Sequence, residues 1–356
     1  MWNAIEYDKR YLNEMLKMTV EQYGAENDIA DQNFLMHEYF ENPAGDAVIS
    51  LAYDDAQMTI AGQYIIWPMH FMVGNNKIKC AHSLNTLTGK QYRGQGIFTG
   101  LAEENYKTAY KDDIAFIYAT PNPNSYPGFI KKLSFTELGR LPLMLRPLKP
   151  SQMVKEFLHS NLLSGPAGLF DGIFSAKMKN DDGVSIVDIN PDNVELLDVL
   201  WENVQDKYPI MNIRDSAYVK FRYLEMPRRE YHPVIAMKNG MPVAWAVGRI
   251  MGVAGMQCGM IADFLFQSGE EAAAKILLDK LLVKLQENGA SVAGSLMLSH
   301  TEEAKILKSK GFFKCPRKLE PQPFPLLVRI LDATRADKKI LQLSNWFFTM
   351  GDYDVI

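Results

Sequence analysis

The chain has 356 residues, 47% of them apolar and 22% charged, with a formal net charge of −4 at pH 7. That length supports two packed domains, and the acidic balance argues against nucleic acid or an anionic membrane as the main partner. The three scattered cysteines (Cys80, Cys258, Cys315) form no C-x-x-C, the charged start (Glu6, Asp8, Lys9, Arg10) is no signal peptide, and no apolar run reaches the ~18 residues of a membrane span, so the expected location is a reducing cytoplasm.

In chain order, the spacing of Leu12, Met15, Leu16, Val20 and Tyr23 predicts a helix over Tyr11–Tyr23, with a second over Asp31–Asn42. Val48–Tyr53 and Met58–Phe71, rich in β-branched and aromatic residues, read as strands, and Lys79–Thr88 as a third. Gln91-Tyr92-Arg93-Gly94-Gln95-Gly96-Ile97-Phe98 then opens an amphipathic helix with Leu101, Ala102 and Ala109. Ile114–Thr120 is a buried strand, broken by Pro121-Asn-Pro-Asn-Ser-Tyr-Pro127. A helical turn carries Phe129 to Phe135, and a further strand is expected near Arg140–Arg146.

From Pro147 to Gly183 the chain reads as a connector with a helical piece at Ser151–Leu163. The second half predicts a strand at Val184–Ile189, a helix at Pro191–Val204, and strands at Pro233–Lys238, Pro242–Met251 and Met260–Phe266. A long helix at Glu270–Asn288, a strand at Val292–Leu298 and a helix at Thr301–Lys310 complete it. The ending Trp346-Phe-Phe-Thr-Met-Gly-Asp-Tyr-Asp354 is dense in aromatics, as docked tails are.

The strand–glycine turn–helix around Gly94 and Gly96 aims backbone N–H groups and the positive end of a helix at one point, which suits a phosphate or pyrophosphate. Arg93 adds a fixed positive charge. A P-loop is absent, and glycines 94, 96 and 100 give G-x-G-x-x-x-G rather than the dinucleotide fingerprint. Gln91 to Gly96 fits the pyrophosphate loop Q/R-x-x-G-x-G/A at every constrained position, and so resembles the GNAT superfamily of acyl-CoA-dependent N-acetyltransferases. The element order agrees. Asn122 or Asn124 and the ending Ile130-Lys-Lys-Leu-Ser-Phe135 resemble the second half of that signature. The resemblance covers roughly residues 1–148.

A second copy is hidden downstream. Phe129 to Phe135 and Ile306 to Phe312 match at an offset of 306 − 129 = 177 residues. The offset sets Gly269-Glu270-Glu271 where Tyr92-Arg93-Gly94 stood, and two carboxylates would repel a pyrophosphate. The expected fold is therefore α/β (α+β): two GNAT-like lobes, each a mixed, mostly antiparallel sheet flanked by helices, the second degenerate. The expected domains are 1–148 with the acetyl-CoA site, 149–183 as connector, and 184–356 with the tail, the acceptor pocket at the seam. Such a pair resembles the two-lobed branch that includes bacterial sugar-amine acetyltransferases.

The resemblance implies acetyl transfer from acetyl-CoA to a primary amine, with a nucleotide-linked amino sugar as the leading acceptor. It implies a cofactor site of Thr86, Leu87, Thr88, Gln91, Tyr92, Arg93, Gly94, Gln95, Gly96, Ile97, Phe98, Asn122 and Asn124, with backbone near Leu87 and Thr88 polarising the thioester. The usual acid, a tyrosine, aligns with Ile130; Tyr126, one turn earlier, is the substitute. His82 and His37 are candidate bases. Trp67 and Trp346 offer faces for a sugar, and Arg214 and Arg222 cations for its phosphates. No metal is expected, since the six histidines form no H-x-x-x-H or H-x-x-E-H. A monomer or weak dimer is expected. A Fem-type aminoacyl or peptidyl transferase and a non-catalytic CoA-binding regulator are the alternatives.

Overall fold

The computed structural model describes residues 1–158, 161–177 and 183–354. In chain order the elements are β1 (Trp2–Glu6), α1 (Leu12–Tyr23), α2 (Gln32–Phe40), β2 (Val48–Asp54), β3 (Thr59–Val73), β4 (Asn76–Thr88), α3 (Ile97–Lys111), β5 (Phe116–Ala119), α4 (Tyr126–Lys132) and β6 (Thr136–Arg140). Then follow β7 (Leu143–Pro147), α5 (Pro150–Leu158), α6 (Asn161–Gly168), α7 (Asp171–Phe174), β8 (Val184–Asp188), α8 (Leu196–Val204), β9 (Ile210–Asn212), α9 (Ser216–Val219) and β10 (His232–Lys238). The last are β11 (Met241–Val253), β12 (Met256–Phe266), α10 (Glu271–Glu287), β13 (Val292–Leu296), α11 (Glu302–Ser309), β14 (Phe313–Lys314) and β15 (Pro325–Ile330).

Two compact units form, and both are discontinuous in sequence. The first takes Met1–Arg140, Glu225–Arg228 and Phe324–Asn345; the second takes Leu141–Leu224, Arg229–Pro323 and Trp346–Ile356. The first sheet runs β1-β2-β3-β4-β5-β15-β6, antiparallel except for β4 against β5. The second runs β8-β10-β11-β12-β13-β7-β14, antiparallel except for β12 against β13. The two orders correspond strand for strand, with α3 and α10 as the matching crossovers. The sixth place is filled from elsewhere in the chain in both: β15 sits between β5 and β6, and β7 between β13 and β14.

Three expectations change. The strand near Arg140–Arg146 is two strands, β6 and β7, in different sheets, and the break falls at Leu141-Pro142, where proline has no N–H to donate to a ladder. The unit boundary falls at this break, not at 148. The stretch 149–183 is no free connector, since α5 and α7 belong to the second unit. Ser151 donates backbone and side-chain hydrogen bonds to Asp171 (2.9 and 2.5 Å), and Ser291 donates to Glu156 (2.6 Å).

In the first unit α3 lays Ile97, Leu101, Ala102, Tyr106 and Ala109 on Ala52, Ala61, Tyr64 and Ile66 of the sheet. Each large apolar side chain so buried contributes about 1.5–3 kcal/mol. Asn105 on the same helix face is fully buried and donates to the carbonyl of Val48 (2.8 Å), which offsets part of the cost of burying its amide.

Candidate active site

The glycine loop joins β4 to α3. Tyr92 is its anchor: 8% exposed, it donates its hydroxyl to Asp54 at 2.9 Å and so ties the loop to the end of β2. The neighbouring Gln91, Arg93, Gly94, Gln95 and Gly96 are exposed. Gly94 and Gly96 have φ of +81° and +77°, and a Cβ on either would point into open space. Only glycine takes this backbone without strain, and the open side is where a ligand would approach. Gly96 is the N-cap of the 15-residue α3 and supplies no side-chain cap, so its own first turn leaves N–H groups for an anion. The indole of Trp2 donates to the carbonyl of Gln95 (3.3 Å), and Arg93 reaches Gln22 (3.3 Å). Amides, helix end and arginine together offer an anion site at this loop.

The second feature is the parting of two strands. β4 pairs with β5 only at Ala81–Ile117 and His82–Tyr118. Beyond that point β4 continues alone on this side, through Thr86 and Thr88, half-buried, and Leu87, buried. Its register with β3 slips between Gln63 and Ile65, where Asn85 stands at φ +48°. This is a β-bulge, a device that re-aims a strand. Backbone groups of Thr86 to Thr88 are thus left without a strand partner on the β5 side, close in sequence to the glycine loop.

Asn122 accepts hydrogen bonds on its side chain from the amides of Asn124 (2.9 Å) and Ser125 (3.1 Å), an Asx turn that opens α4. Asn124 itself is exposed. Phe98 meets Tyr64 and Phe129 edge-on at 5.7 and 5.4 Å, which seats α3 and α4 on the sheet. Ile130 packs against the core. Tyr126 donates its hydroxyl to Glu137 of β6, and that bond, with partial burial, raises the phenol above its ordinary value.

The candidate bases are both buried. His82 is 1% exposed, stacks on Tyr118 at 4.7 Å and lies 3.4 Å from the hydroxyl of Thr120. His37, 4% exposed, pairs with Glu41 at 2.6 Å one turn along α2. The expected acceptor residues are structural instead. Trp67 and Trp346 are fully buried, and aromatic rings without an open face cannot serve as platforms. Arg214 is 1% exposed and binds Asp263 (2.8 Å), Asp352 (2.8 Å) and Thr349 (3.1 Å). Arg222, equally buried, donates to the carbonyls of Tyr353 (2.8 Å) and Gly351 (3.4 Å). Both guanidiniums hold the tail, so neither is presented to a phosphate. The sequence reading sets Glu38 beside His37 in the helical region bordering the acceptor, but leaves out Asn85. The one available signal was an asparagine set among Leu84, Thr86 and Leu87, a poor strand former in a run of better ones.

In the second unit the corresponding turn has Gly269 at φ +89°, followed by Glu270, whose carboxylate is bonded by Lys238 (2.7 and 2.9 Å). A carboxylate at the start of α10 takes the place a phosphate would need. Among the described residues there is no group of three or more His, Cys, Asp or Glu fit for a metal ion, and no helix is long and apolar enough to cross a membrane.

Residues 5–137 match the family described as acetyltransferase (GNAT) domain. No curated protein matches the chain in sequence. Among solved structures, a GCN5-related N-acetyltransferase from Anabaena variabilis is similar at TM-score 0.65 and 10% identity, over 94% of this chain and 74% of that one. N-myristoyltransferase of Saccharomyces cerevisiae, solved with myristoyl-CoA, is similar at 0.64 and 11%, over 92% and 82%. A probable N-acyltransferase from Enterococcus faecalis is similar at 0.63 and 11%, over 93% and 73%. At such identities these likenesses establish the two-lobed fold, and the domain match supplies the chemistry. The match over residues 5–137 to a GNAT acetyltransferase domain supports an acyl-CoA-dependent acyltransferase.

Proposed function

We propose that the first unit transfers the acetyl group of acetyl-CoA to the primary amine of a small polar acceptor by direct attack. The observation that carries this is the open glycine loop beside a strand that has parted from its neighbour. Amides of the exposed Gly94, Gln95 and Gly96, with Arg93, hold the pyrophosphate. Backbone of Thr86 to Thr88 faces the thioester carbonyl and stabilises the charge that develops on its oxygen. The amine forms the new C–N bond, the C–S bond breaks, and the electron pair leaves on sulfur.

Both histidines are buried, so we assign the amine's proton to solvent water rather than to His82 or His37. Raised above its ordinary value, the Tyr126 phenol is a weaker acid than a thiol, so we assign the thiolate's proton to solvent as well. A nucleotide-linked amino sugar is one acceptor of the proposed class, although the buried Trp67, Arg214, Arg222 and Trp346 lend it no support. The test is thiol release from acetyl-CoA across a panel of amines that includes such a sugar, with calorimetry of acetyl-CoA binding alongside. Release that depends on an amine and on Arg93 supports the reading. Binding without release by any amine favours a CoA-binding regulator.

A further inference from the structure

Asn85 is held from three sides. Its carboxamide nitrogen donates to the carboxylate of Glu38 (3.0 Å) and to the hydroxyl of Tyr39 (2.9 Å), both on α2 and both 1% exposed. Its backbone carbonyl accepts from the side chain of Gln63 (2.8 Å) on β3. The partners lie 47, 46 and 22 residues away in sequence, so no local turn sets this geometry. The residue so held has a left-handed backbone, which a side chain disfavours and which persists only where the surroundings over-determine it.

The strained point coincides with the bulge. It lies three residues past the last pairing of β4 with β5 and immediately before Thr86, Leu87 and Thr88. A buried carboxylate is costly to keep, and one that accepts from an amide at a bulge is paired with the group it serves. In the second unit the corresponding strand β12 slips register against β11 between Val247 and Gly248, yet no residue there has a positive φ. The left-handed bulge therefore goes with the unit that has the open glycine loop.

We infer that Glu38 is a positioning residue for acyl transfer: through the carboxamide of Asn85 it fixes the bulge, and so aims the backbone of Thr86 to Thr88 at the thioester carbonyl. This rests on the proposed acetyl-CoA site. Glu38 touches no reacting atom; it sets the direction of groups that do.

The test needs no acceptor. Acetyl-CoA labelled with ¹³C at the carbonyl is bound to the full chain, and the carbonyl stretch is read by difference infrared spectroscopy. The wild type is expected to move the band to lower frequency, as donors aimed at the oxygen polarise it. Glu38→Ala is expected to lose most of that shift while unlabelled CoA binds as tightly as before. Glu38→Gln keeps an acceptor for Asn85 and should restore it. Asn85→Gly removes the carboxamide but takes a positive φ without strain, so it carries the test if Glu38→Ala does not fold, and it too should lose the shift. A wild-type shift in Glu38→Ala or in Asn85→Gly overturns the inference. Failure of the wild type to bind acetyl-CoA overturns the proposed site itself, and the inference with it.

Discussion

The hydroxyl of Tyr126 donates to a carboxylate of Glu137, joining the first turn of α4 to the strand that follows it. A phenol so engaged must leave its partner before it can serve a thiolate. Tyr126→Phe is expected to lower stability by about 1 kcal/mol or less, the ordinary worth of one hydrogen bond, and to leave kcat within a few-fold of wild type. Steady-state kinetics beside thermal unfolding decide it. A fall in kcat of about a hundred-fold, with CoA affinity intact, would instead make Tyr126 the acid.

One CoA should bind per chain. Arg93→Glu removes a charge-assisted contact worth about 1.5–3 kcal/mol and adds repulsion, so affinity should fall at least ten-fold with little change in Tm, the side chain being exposed. Glu270→Gln should leave CoA affinity unaltered. Calorimetry that finds two equivalent sites would contradict the assignment of the second loop to Lys238 and Glu270.

Stability should carry a signature of Asp263. Burial, and Asp352 across the same guanidinium, push its carboxyl up to about 6 despite Arg214. Its folded value therefore exceeds the unfolded one, so between the two the folded chain holds the extra proton and stability falls as pH rises. Asp263→Asn mimics the protonated state. The Tm of wild type minus that of Asp263→Asn should drop as pH rises from the ordinary carboxylate range through about 6. A difference that stays level, measured by unfolding at a series of pH values, would refute it.

A fragment of residues 1–148 should not fold. It lacks β15, so β5 is left with an open edge and β6 loses the one strand it pairs with among the described residues. The same fragment cut at Arg140 and joined by a flexible linker to residues 324–345 should fold and bind CoA. Circular dichroism and a cooperative melt distinguish the two. A well-folded 1–148 would show β15 to be dispensable.

The sequence makes much of this architecture readable because its local signals are strong. Alternation and β-branched residues mark β2 to β4, the glycines mark the turn into α3, and the matched endings at Phe135 and Phe312 reveal the repeat. β15 escaped although Phe-Pro-Leu-Leu-Val-Arg-Ile is a plain apolar run, because no local signal tells a strand which distant neighbour it joins. For the same reason β6 and β7 read as one strand: their separation is a matter of sheet partners. The acceptor residues failed differently. Arg214 and Arg222 carry charges that a sequence reading expects at a surface, and only the fold brings Asp263 and Asp352 to Arg214 and makes burial tolerable. Asn85 acquires its meaning from Glu38, Tyr39 and Gln63, all more than twenty residues away.

The exchanged strands also set a clock for synthesis. β5 leaves the ribosome about two hundred residues before β15, the strand that closes its edge. At about 5–20 residues per second, the amide and carbonyl row of β5 waits roughly ten to forty seconds for its partner. During that time an apolar strand with one unpaired edge is open to any passing chain. The N-terminal half is thus the first made and among the last finished, and its yield in a cell should respond to translation speed and to chaperones that shield strand edges.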